Sequence, residues 1–382
     1  MQCFATLFRK GENEIMNVIE LTKKLVSIPS PLGDTSGIEE FVCSRLEQVG
    51  NVSAELRPVK GLGNNVIGRV FHGDDLPTIL LNGHLDTVEV CKGWSMDPFE
   101  PKIEGDRLHG LGSADMKSGV AIALDTFKKL AALGTCNVIF AGTIDEEGDS
   151  NGAFALIDEG IQADLCIIPE PSGGTIMMGC RGRLIFEVDV RGASAHGSRP
   201  EQGVNAISEA GRFVGELDRL ELLKDEKLGT GSFCPLEILG GTRTLSVPDT
   251  CWLKIDRHYV RGEDRAGLLE QLKNAVGNMG SHATFDISPW KARPTPFLEP
   301  YITENEGLAE RFTKAVGSEF SYGKSVGDYN VFAKFLPTVV YGPRGVNWHS
   351  PDEWVSIESI QKCAEGYGRF VNSMNKGKSS VF

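Results

Sequence analysis

The spacing of hydrophobic residues predicts a chain that alternates strands and helices over much of its length. Between residues 16 and 180, short apolar runs bounded by polar or glycine-rich turns alternate with longer stretches that have a helical period. The predicted strands are Thr78–Leu81, Val138–Thr143 and Leu165–Ile168, and the predicted helices are Met16–Ser27, Val120–Leu133 and Ala153–Asp158. This alternation is typical of a mostly parallel sheet with helices on both faces, so we predict an α/β fold.

A second pattern, which indicates a half-exposed antiparallel sheet, begins near residue 181. In residues 183–191, RLIFEVDVR, apolar positions alternate with partly polar ones. Further predicted elements are a helix at 204–220, strands at 234–239 and 250–260, a helix at 266–277 and a strand at 283–289. We therefore predict a small α+β domain over 181–292, inserted into an α/β domain formed by 1–180 and 293–382, in which 1–15 is a frayed extension. Two consecutive domains are the alternative.

Composition and charge exclude several classes of partner. The chain has 382 residues, of which 41% are hydrophobic and 24% charged, as in ordinary globular proteins. Its net charge of −13 argues against nucleic acid and anionic membranes as partners. No apolar stretch approaches the roughly 18 residues of a membrane span, and the N-terminus lacks the order of a signal peptide. The nine cysteines include no CxxC pair, which is typical of reduced thiols in a cytoplasmic protein.

Three consecutive acidic residues follow one of the predicted strands. The apolar run Val138–Ile144 ends at Asp145, Glu146 and Glu147. Adjacent like charges repel one another and do not stabilise a fold, so the ordinary explanation is a solvated loop. The other charged residues near strand ends favour a different explanation.

Further candidate residues stand in comparable positions. His84 and Asp86 follow a predicted strand and, two residues apart in an extended chain, point to one face. Asp115 stands in a glycine-containing loop before a helix, where an N-cap is the alternative role. Glu170 stands between two prolines after a strand, and His349 follows the predicted strand Thr338–Tyr341. We expect each candidate at the carboxyl end of a parallel strand, where open α/β sheets bind ligands.

Two histidines, one aspartate and two glutamates that converge in this way predict a site for two divalent metal ions. The cations would remove the repulsion within the acidic run. Glu147 would then be a ligand, while Glu146 would stay uncoordinated and act as a general base.

Six motifs occur in a characteristic order, namely GHLDTV, GxxDMKxG, DEEG, PEP, RGxSAHG and HSPDE. In this order and spacing the chain resembles the di-zinc aminoacylase and carboxypeptidase family over about residues 16–375. That family includes acetylornithine deacetylase, N-acetyl-lysine deacetylase, succinyl-diaminopimelate desuccinylase and bacterial glutamate carboxypeptidase. The resemblance implies two zinc ions per subunit, for which cobalt or manganese can substitute.

The resemblance also implies a ligand set. His84, Asp115 and Glu170 would hold one ion, and Asp115, Glu147 and His349 would hold the other, with Asp115 as the bridge.

Further roles follow from the same resemblance. Asp86 would orient His84, and Glu146 would deprotonate the bridging water and protonate the leaving amine. The peptide bond after Asp115 would be cis. His196, in a lid and dimerisation domain over 181–292, would stabilise the oxyanion in the active site of the partner subunit of a homodimer.

The substrate expected from the resemblance is a small N-acyl amino acid. The block SVGDYNVFAKFLPTVVYGPRGVNWHSPDEW is similar to the acetylornithine and acetyl-lysine deacetylases. A dipeptidase or a glutamate-carboxypeptidase-like exopeptidase is the alternative.

Recognition of the substrate carboxylate is expected to differ from the family pattern. The positions of the family's lid asparagine and arginine fall on Leu245 and His258. Arg257 is adjacent, but it faces the other way unless the strand shifts by one residue. Arg344 is a second candidate, because a guanidinium binds a carboxylate bidentately.

Two hypotheses from other classes are weaker. GDSNG, residues 148–152, fits the GxSxG pattern of a serine hydrolase, but three acids separate it from the strand. A binding protein descended from the family would lack ligands or the base, and all of them are present here.

Overall fold

The computed structural model describes residues 18–241, 243–290 and 297–375, which form two compact units. Unit 1 comprises the described parts of Met1–Met178, Ile302–Ser321 and Gly327–Phe382, and unit 2 comprises those of Gly179–Tyr301 and Tyr322–Val326. The predicted extension at 1–15 and the predicted domain boundary at residue 293 lie outside the described residues.

The helices and strands are numbered here in chain order. The helices are α1 (18–26), α2 (Ser36–Glu47), α3 (Ser118–Leu133), α4 (Asn151–Asp158), α5 (Ala206–Leu217), α6 (Arg265–Asn278), α7 (Gly307–Val316), α8 (Asp328–Ala333) and α9 (Ile357–Asn375). The strands are β1 (Ser53–Val59), β2 (Gly63–Val70), β3 (Thr78–His84), β4 (Lys102–Glu104), β5 (Arg107–His109), β6 (Asn137–Thr143), β7 (Leu165–Ile168), β8 (Ile176–Cys180), β9 (Gly182–Arg191), β10 (Lys224–Asp225), β11 (Gly229–Thr230), β12 (Ser232–Gly240), β13 (Thr250–Tyr259), β14 (Thr284–Pro289), β15 (Phe297–Leu298), β16 (Tyr301–Ile302), β17 (Phe320–Gly323), β18 (Thr338–Val340), β19 (Gly345–Val346) and β20 (Trp354–Ser356).

The largest sheet has nine strands in the order β1-β2-β6-β3-β7-β18-β8-β16, with β17 beside β8. Its central strands β6, β3, β7 and β18 are parallel, whereas β1, β2 and β8 pair antiparallel. The central strands are almost wholly buried, as their unbroken apolar runs predict. The predicted α/β fold with a mostly parallel sheet is confirmed.

The antiparallel flank formed by β1 and β2 was not predicted. The sequences SAELRPV and GNNVIGRV mix polar, glycine and proline residues with apolar ones, and neither follows a clean strand period. Pairing with β6 buries the middle of β2, so the tertiary context determines this structure rather than the local pattern.

Unit 2 contains an antiparallel sheet in the order β12-β13-β9-β14, with β15 beside β9. The alternating residues of β9 that the sequence pattern assigned to a core are buried, with Leu184, Phe186 and Val188 each 0% exposed. They form one core with Phe213 of α5 and Leu272 of α6.

Neither membrane spans nor disulfides are found in the described parts of the chain. No helix there is both long enough and apolar enough to cross a bilayer. The eight cysteines described there are free thiols.

Two glycines let the segment Pro169–Glu170 pass close to its neighbours in unit 1. A Cβ atom on Gly119, at the start of α3, would overlap the carbonyl oxygen of Pro169. A Cβ atom on Gly342 would overlap the carbonyl oxygens of both Pro169 and Glu170. The position of Glu170 therefore depends on the absence of side chains at these two residues.

We predict that Gly119→Ala lowers the free energy of unfolding by about 1–3 kcal/mol, because the methyl group forces the Pro169 main chain away from α3. The matched control is Gly211→Ala in α5, where nothing lies within 4 Å of the new Cβ atom. This control should raise the stability by about 0.5–1 kcal/mol through helix propensity. Urea unfolding of both variants measures the difference, and equal stability of Gly119→Ala and the wild type would contradict the prediction.

Candidate metal centre

Most candidate ligands lie where parallel strands of the nine-stranded sheet end. His84 is the last residue of β3, Glu146 and Glu147 follow β6, and Glu170 follows β7. Neighbouring parallel strands end at the same edge of a sheet, so these side chains are brought together although they are distant in sequence. All of them belong to unit 1.

Two candidates lie in loops next to strands of a second, antiparallel sheet that was not predicted. Asp115 lies before α3 and after β5, a strand of a separate antiparallel sheet with the order β19-β20-β5-β4. His349 lies in the loop between β19 and β20 of the same sheet. The prediction that every candidate directly follows a parallel strand was therefore wrong for Asp115 and for His349, which follows the antiparallel strand β19. Strands of two or three residues are too short to give a periodic sequence signal.

His84 is held in one orientation by hydrogen bonding to Asp86. The imidazole is buried, and Nδ1 donates to the main-chain oxygen of Asp86 at 3.0 Å, whereas Oδ1 of Asp86 lies 3.8 Å away. Asp86 therefore orients His84 through its main-chain carbonyl rather than through its carboxylate. With the proton on Nδ1, Nε2 faces Asp115 Oδ1 at 3.1 Å and Glu170 Oε1 at 3.5 Å, as a metal-binding nitrogen would.

The two carboxylate oxygens of Asp115 face different histidines. Oδ1 lies 3.1 Å from His84 Nε2, and Oδ2 lies 3.5 Å from His349 Nε2. His349 Nε2 is also 2.9 Å from Glu147 Oε2. The peptide bond between Asp115 and Met116 is cis, as the resemblance implied. A carboxylate arranged in this way can bridge two ions.

Within the described part of the chain, three overlapping groups of side chains have potential ligand atoms within 4.8 Å of one another. They are His84, Asp115 and Glu170; Asp115, Glu147 and His349; and His84, Glu146 and Glu147. The first two groups coincide with the two ligand sets that the resemblance implied. The third group places the Glu146 carboxylate within reach of a cation as well, so distance alone does not separate the roles of Glu146 and Glu147.

The members of the acidic run make different contacts. Asp145 Oδ2 accepts the main-chain N–H of Asp149 at 3.2 Å and so stabilises the turn after the run. The buried carboxylate of Asp86 accepts the main-chain N–H groups of Glu146 at 3.3 Å and Glu147 at 3.1 Å. The run is therefore fixed by hydrogen bonds and is not a freely solvated loop.

The pKa values in the cluster reflect uncompensated negative charge. Burial raises the pKa of Glu170 well above its usual range, and Asp115 raises it further, while His84 opposes the shift. Hydrogen bonds to Asp115 and Glu147 raise the pKa of His349 to about 10. Protons neutralise the cluster when no cation is bound, and divalent ions can take their place. Imidazole nitrogens and carboxylate oxygens are ligands that suit zinc, so the residues present fit a metal centre.

Sequence reasoning missed three buried charged residues around the cluster. Glu353 is 1% exposed and accepts the main-chain N–H of Asp115 at 3.0 Å. Lys117 is fully buried, and its ammonium donates to a main-chain oxygen at 2.7 Å. Asp328 is 2% exposed and accepts a threonine hydroxyl at 2.8 Å. All three lie within the motifs or the C-terminal block described above. Their charge within these segments was the feature of the sequence that could have identified them.

Two candidate substrate-binding residues lie in β13 of unit 2. β13 pairs with β9 in an uninterrupted register from Thr250 to Tyr259, without the one-residue shift that would turn Arg257 to the other face. The Arg257 side chain is fully buried, and its guanidinium donates to Glu263. His258 is half-buried, and its Nε2 lies 3.4 Å from a carboxylate oxygen of Asp256.

The remaining candidates are at or near the surface of their own unit. In unit 2, His196 and Leu245 are exposed, the latter to 91%. In unit 1, Arg344 is exposed, while its main-chain N–H donates to Ser359 Oγ at 2.7 Å. Ser150, on which the serine-hydrolase hypothesis depended, is buried and directly precedes α4.

The chain is similar to known proteins over nearly its whole length. Uncharacterized protein YgeY of Escherichia coli (strain K12) is 28% identical over 95% of this chain and 96% of its own length. Succinyl-diaminopimelate desuccinylase of Stenotrophomonas maltophilia is 29% identical over 94% of this chain and 99% of its own. A tripeptidase structure from Staphylococcus aureus has a TM-score of 0.77 at 20% identity and covers 95% of this chain and 99% of its own.

The model of the peptidase family M20/M25/M40 matches residues 80–373. This range is more than half of the chain, and it includes His84, Asp115, Glu147, Glu170 and His349. The family is one of metal-dependent hydrolases, so the serine-hydrolase hypothesis was wrong. On this match and on the donor set described above, the chain belongs to peptidase family M20/M25/M40 and is a metal-dependent hydrolase.

Proposed function

We propose that the protein hydrolyses the amide bond of small N-acyl amino acids and uses two divalent ions, zinc in the first instance. The observation that carries this proposal is the division of the two Asp115 oxygens between two histidines. We assign His84, Asp115 and Glu170 to the first metal position, and Asp115, Glu147 and His349 to the second metal position.

Glu146 is the proposed general base. When bound, the two cations polarise the scissile carbonyl and lower the pKa of a water molecule. Glu146 accepts a proton from the water molecule as the water oxygen adds to the acyl carbon. Glu146 then returns that proton to the amine nitrogen as the C–N bond breaks. Burial raises the pKa of Glu146 well above its usual range, although His84 lowers it, and a raised pKa favours proton uptake.

His196 is the proposed donor to the oxyanion of the tetrahedral intermediate. The main-chain N–H of Ser198 donates to His196 Nδ1 at 3.1 Å, so Nδ1 is an acceptor and the proton of the neutral ring lies on Nε2. The imidazole is exposed in unit 2, where its Nε2–H can reach a second molecule. We propose that His196 acts on the substrate in the partner subunit of a homodimer.

The substrate class rests on the sequence relatives. The Stenotrophomonas relative, at 29% identity over almost its full length, is named as a desuccinylase and therefore removes an acyl group from an amino acid nitrogen. An exopeptidase cleaves the same type of bond, and the tripeptidase structure at 20% identity supports a shared fold only. The choice between N-acyl amino acids and peptides therefore depends on experiment.

A substrate panel tests the proposed function. We expect hydrolysis of N-acetyl or N-succinyl derivatives of ornithine, lysine or diaminopimelate to exceed hydrolysis of dipeptides and tripeptides. Activity should disappear after exhaustive chelation and return with zinc, cobalt or manganese. Preferential cleavage of peptides would favour the exopeptidase alternative. Full turnover without metal, checked by elemental analysis, would contradict the metal-dependent mechanism.

We predict that Glu146→Gln impairs proton transfer, whereas Glu147→Gln impairs metal binding. Glu146→Gln should retain both metal ions and lower kcat by about 10²–10⁴-fold, because only proton transfer is lost. Glu147→Gln should lower occupancy of the second metal position, because a ligand is lost. Metal analysis of both variants, together with steady-state kinetics, separates the two roles. Loss of metal in Glu146→Gln but not in Glu147→Gln would mean that the assignments are reversed.

The proposed dimer interface includes an edge strand of the sheet in unit 2. β12 is an edge strand of that sheet, and its residues Leu236, Ile238 and Leu239 are 47%, 51% and 56% exposed. A long edge strand with exposed apolar residues is a surface that proteins normally cover, here by a second copy of the chain.

Subunit exchange tests the role of His196 across this interface. His196→Ala and Glu146→Gln should each be nearly inactive as homodimers. After exchange, their mixture should reach roughly a quarter of wild-type activity, because half of the dimers are mixed and each of these has one intact site. A mixture of Glu146→Gln and Glu147→Gln is the control and should stay inactive. Failure of the first mixture to recover, despite exchange demonstrated with labelled subunits, would contradict action across the dimer.

We propose that the Arg344 guanidinium binds the substrate carboxylate. Its main chain is anchored on both sides, since its N–H donates to Ser359 Oγ at 2.7 Å and its carbonyl accepts the N–H of Ser356 at 2.9 Å. Its side chain is exposed, whereas Arg257 is buried against Glu263. A fixed main chain with an exposed guanidinium suits recognition of a charged ligand.

We predict that Arg344→Ala raises KM for an N-acyl amino acid at least tenfold, with little change in kcat. Tenfold corresponds to about 1.4 kcal/mol, as expected for a modest charge-assisted contact. Arg219→Ala, which removes an arginine with a 75% exposed side chain in unit 2, is the control. An unchanged KM in Arg344→Ala would contradict the role.

A further inference from the structure

Glu353 connects two loops that carry ligands of the second metal position. It lies at the end of the β19–β20 loop that contains His349. Its side chain crosses to the loop Ser113–Lys117, which contains Asp115. We infer that Glu353 is a positioning residue that fixes Asp115 relative to His349 and thereby prepares the second metal position. This inference rests on the proposed function, which assigns metal ions to these residues.

The contacts between Glu353 and the Asp115 loop use both carboxylate oxygens. Oε1 accepts the main-chain N–H groups of Ala114 at 2.8 Å and Asp115 at 3.0 Å, and Oε2 accepts that of Gly112 at 2.8 Å. The main-chain oxygen of Glu353 accepts the N–H of Gly110 at 3.0 Å. Four successive contacts therefore fix the path of the loop from residue 110 to residue 115.

These contacts are strong because they are buried and charge-assisted. Glu353 is 1% exposed, so water does not compete for its oxygens. The buried ammonium of Lys117 interacts electrostatically with Glu353 and also with Asp86. Glu353 and Asp86 each hold main-chain N–H groups of a ligand-bearing loop.

The first metal position does not depend on Glu353 in the same way. His84 ends β3 and Glu170 follows β7, and these strands pair directly, with Leu81 opposite Ile167. Sheet hydrogen bonds therefore set the separation of His84 and Glu170. The Asp115 and His349 loops are also joined by a strand ladder, in which Trp354 of β20 pairs with His109 of β5, but this ladder ends farther from the ligands along the chain. The Glu353 side chain spans the remaining segment. Its loss should consequently weaken the second position more than the first.

Metal affinity measured one position at a time tests this asymmetry. Glu170→Gln provides a background in which the second position is studied, and His349→Ala provides one for the first position. Zn²⁺ is titrated into each metal-free protein in competition with a chromophoric chelator, with and without Glu353→Gln. We expect Glu353→Gln to weaken zinc binding about 10–100-fold in the Glu170→Gln background, as is typical when a partner of a ligand is lost. In the His349→Ala background we expect a loss at least about threefold smaller, because Glu353 holds Asp115, which both positions share, whereas strand pairing places His84 and Glu170.

Two further variants control for folding and charge. Glu358→Gln removes an exposed glutamate of α9 that pairs with Lys362, and it should leave both affinities unchanged. Glu353→Asp keeps the charge but shortens the side chain, so it should give a smaller, still asymmetric loss at the second position. If Glu353→Gln does not fold, Glu353→Asp takes its place in both backgrounds. Circular dichroism of the metal-free proteins reports folding.

The outcomes distinguish this inference from the proposed function. Binding of fewer than two zinc ions by the wild type would contradict the proposed function and the inference with it. Two ions in the wild type, with equal weakening or no weakening of the two positions in the Glu353 variants, would overturn only the inference. Failure of both Glu353 variants to fold would also overturn it, because Glu353 would then serve the fold rather than one metal position.

Discussion

Repulsion among carboxylates is the constraint on which the centre of unit 1 depends. Asp115, Glu146, Glu147 and Glu170 converge at one sheet edge, together with two histidines. Burial destabilises the ionised carboxylates, which raises the pKa values of Glu146 and Glu170. The cluster is therefore stabilised when it binds protons or cations. Family membership shows that the enzyme depends on metal, and the donor set fits metal ions that would meet this need.

The surrounding residues make this convergence possible by holding main chain rather than by touching a ligand's reactive atoms. Asp86 accepts N–H groups from the acidic run, and Glu353 accepts N–H groups from the Asp115 loop. Gly119 leaves room for the segment that carries Glu170. The ligands are therefore preorganised by buried hydrogen bonds and close packing, which limits their rearrangement when ions bind.

The sequence predicted those parts of the fold whose signals are local and periodic. The unbroken apolar runs of β3, β6 and β7 and the alternation in β9 were sufficient, because burial on one or two faces imposes those patterns. The β1–β2 flank and the short strands β5 and β19 were missed, since their structure depends on tertiary pairing. Asp115 was consequently assigned to the wrong kind of strand end. The roles of Glu353 and Lys117 depend on contacts with distant loops, which no spacing in the sequence encodes.

The proposed mechanism requires one aspartate to bridge two ions at this sheet edge. The most direct test is anomalous diffraction at the zinc absorption edge from crystals of the zinc-loaded protein. We expect two anomalous peaks about 3.5–4 Å apart, the usual separation in two-metal sites. One peak should contact His84 and Glu170, the other Glu147 and His349, and both should contact Asp115. A single peak, or two peaks without a shared Asp115 ligand, would show that Asp115 does not bridge two ions.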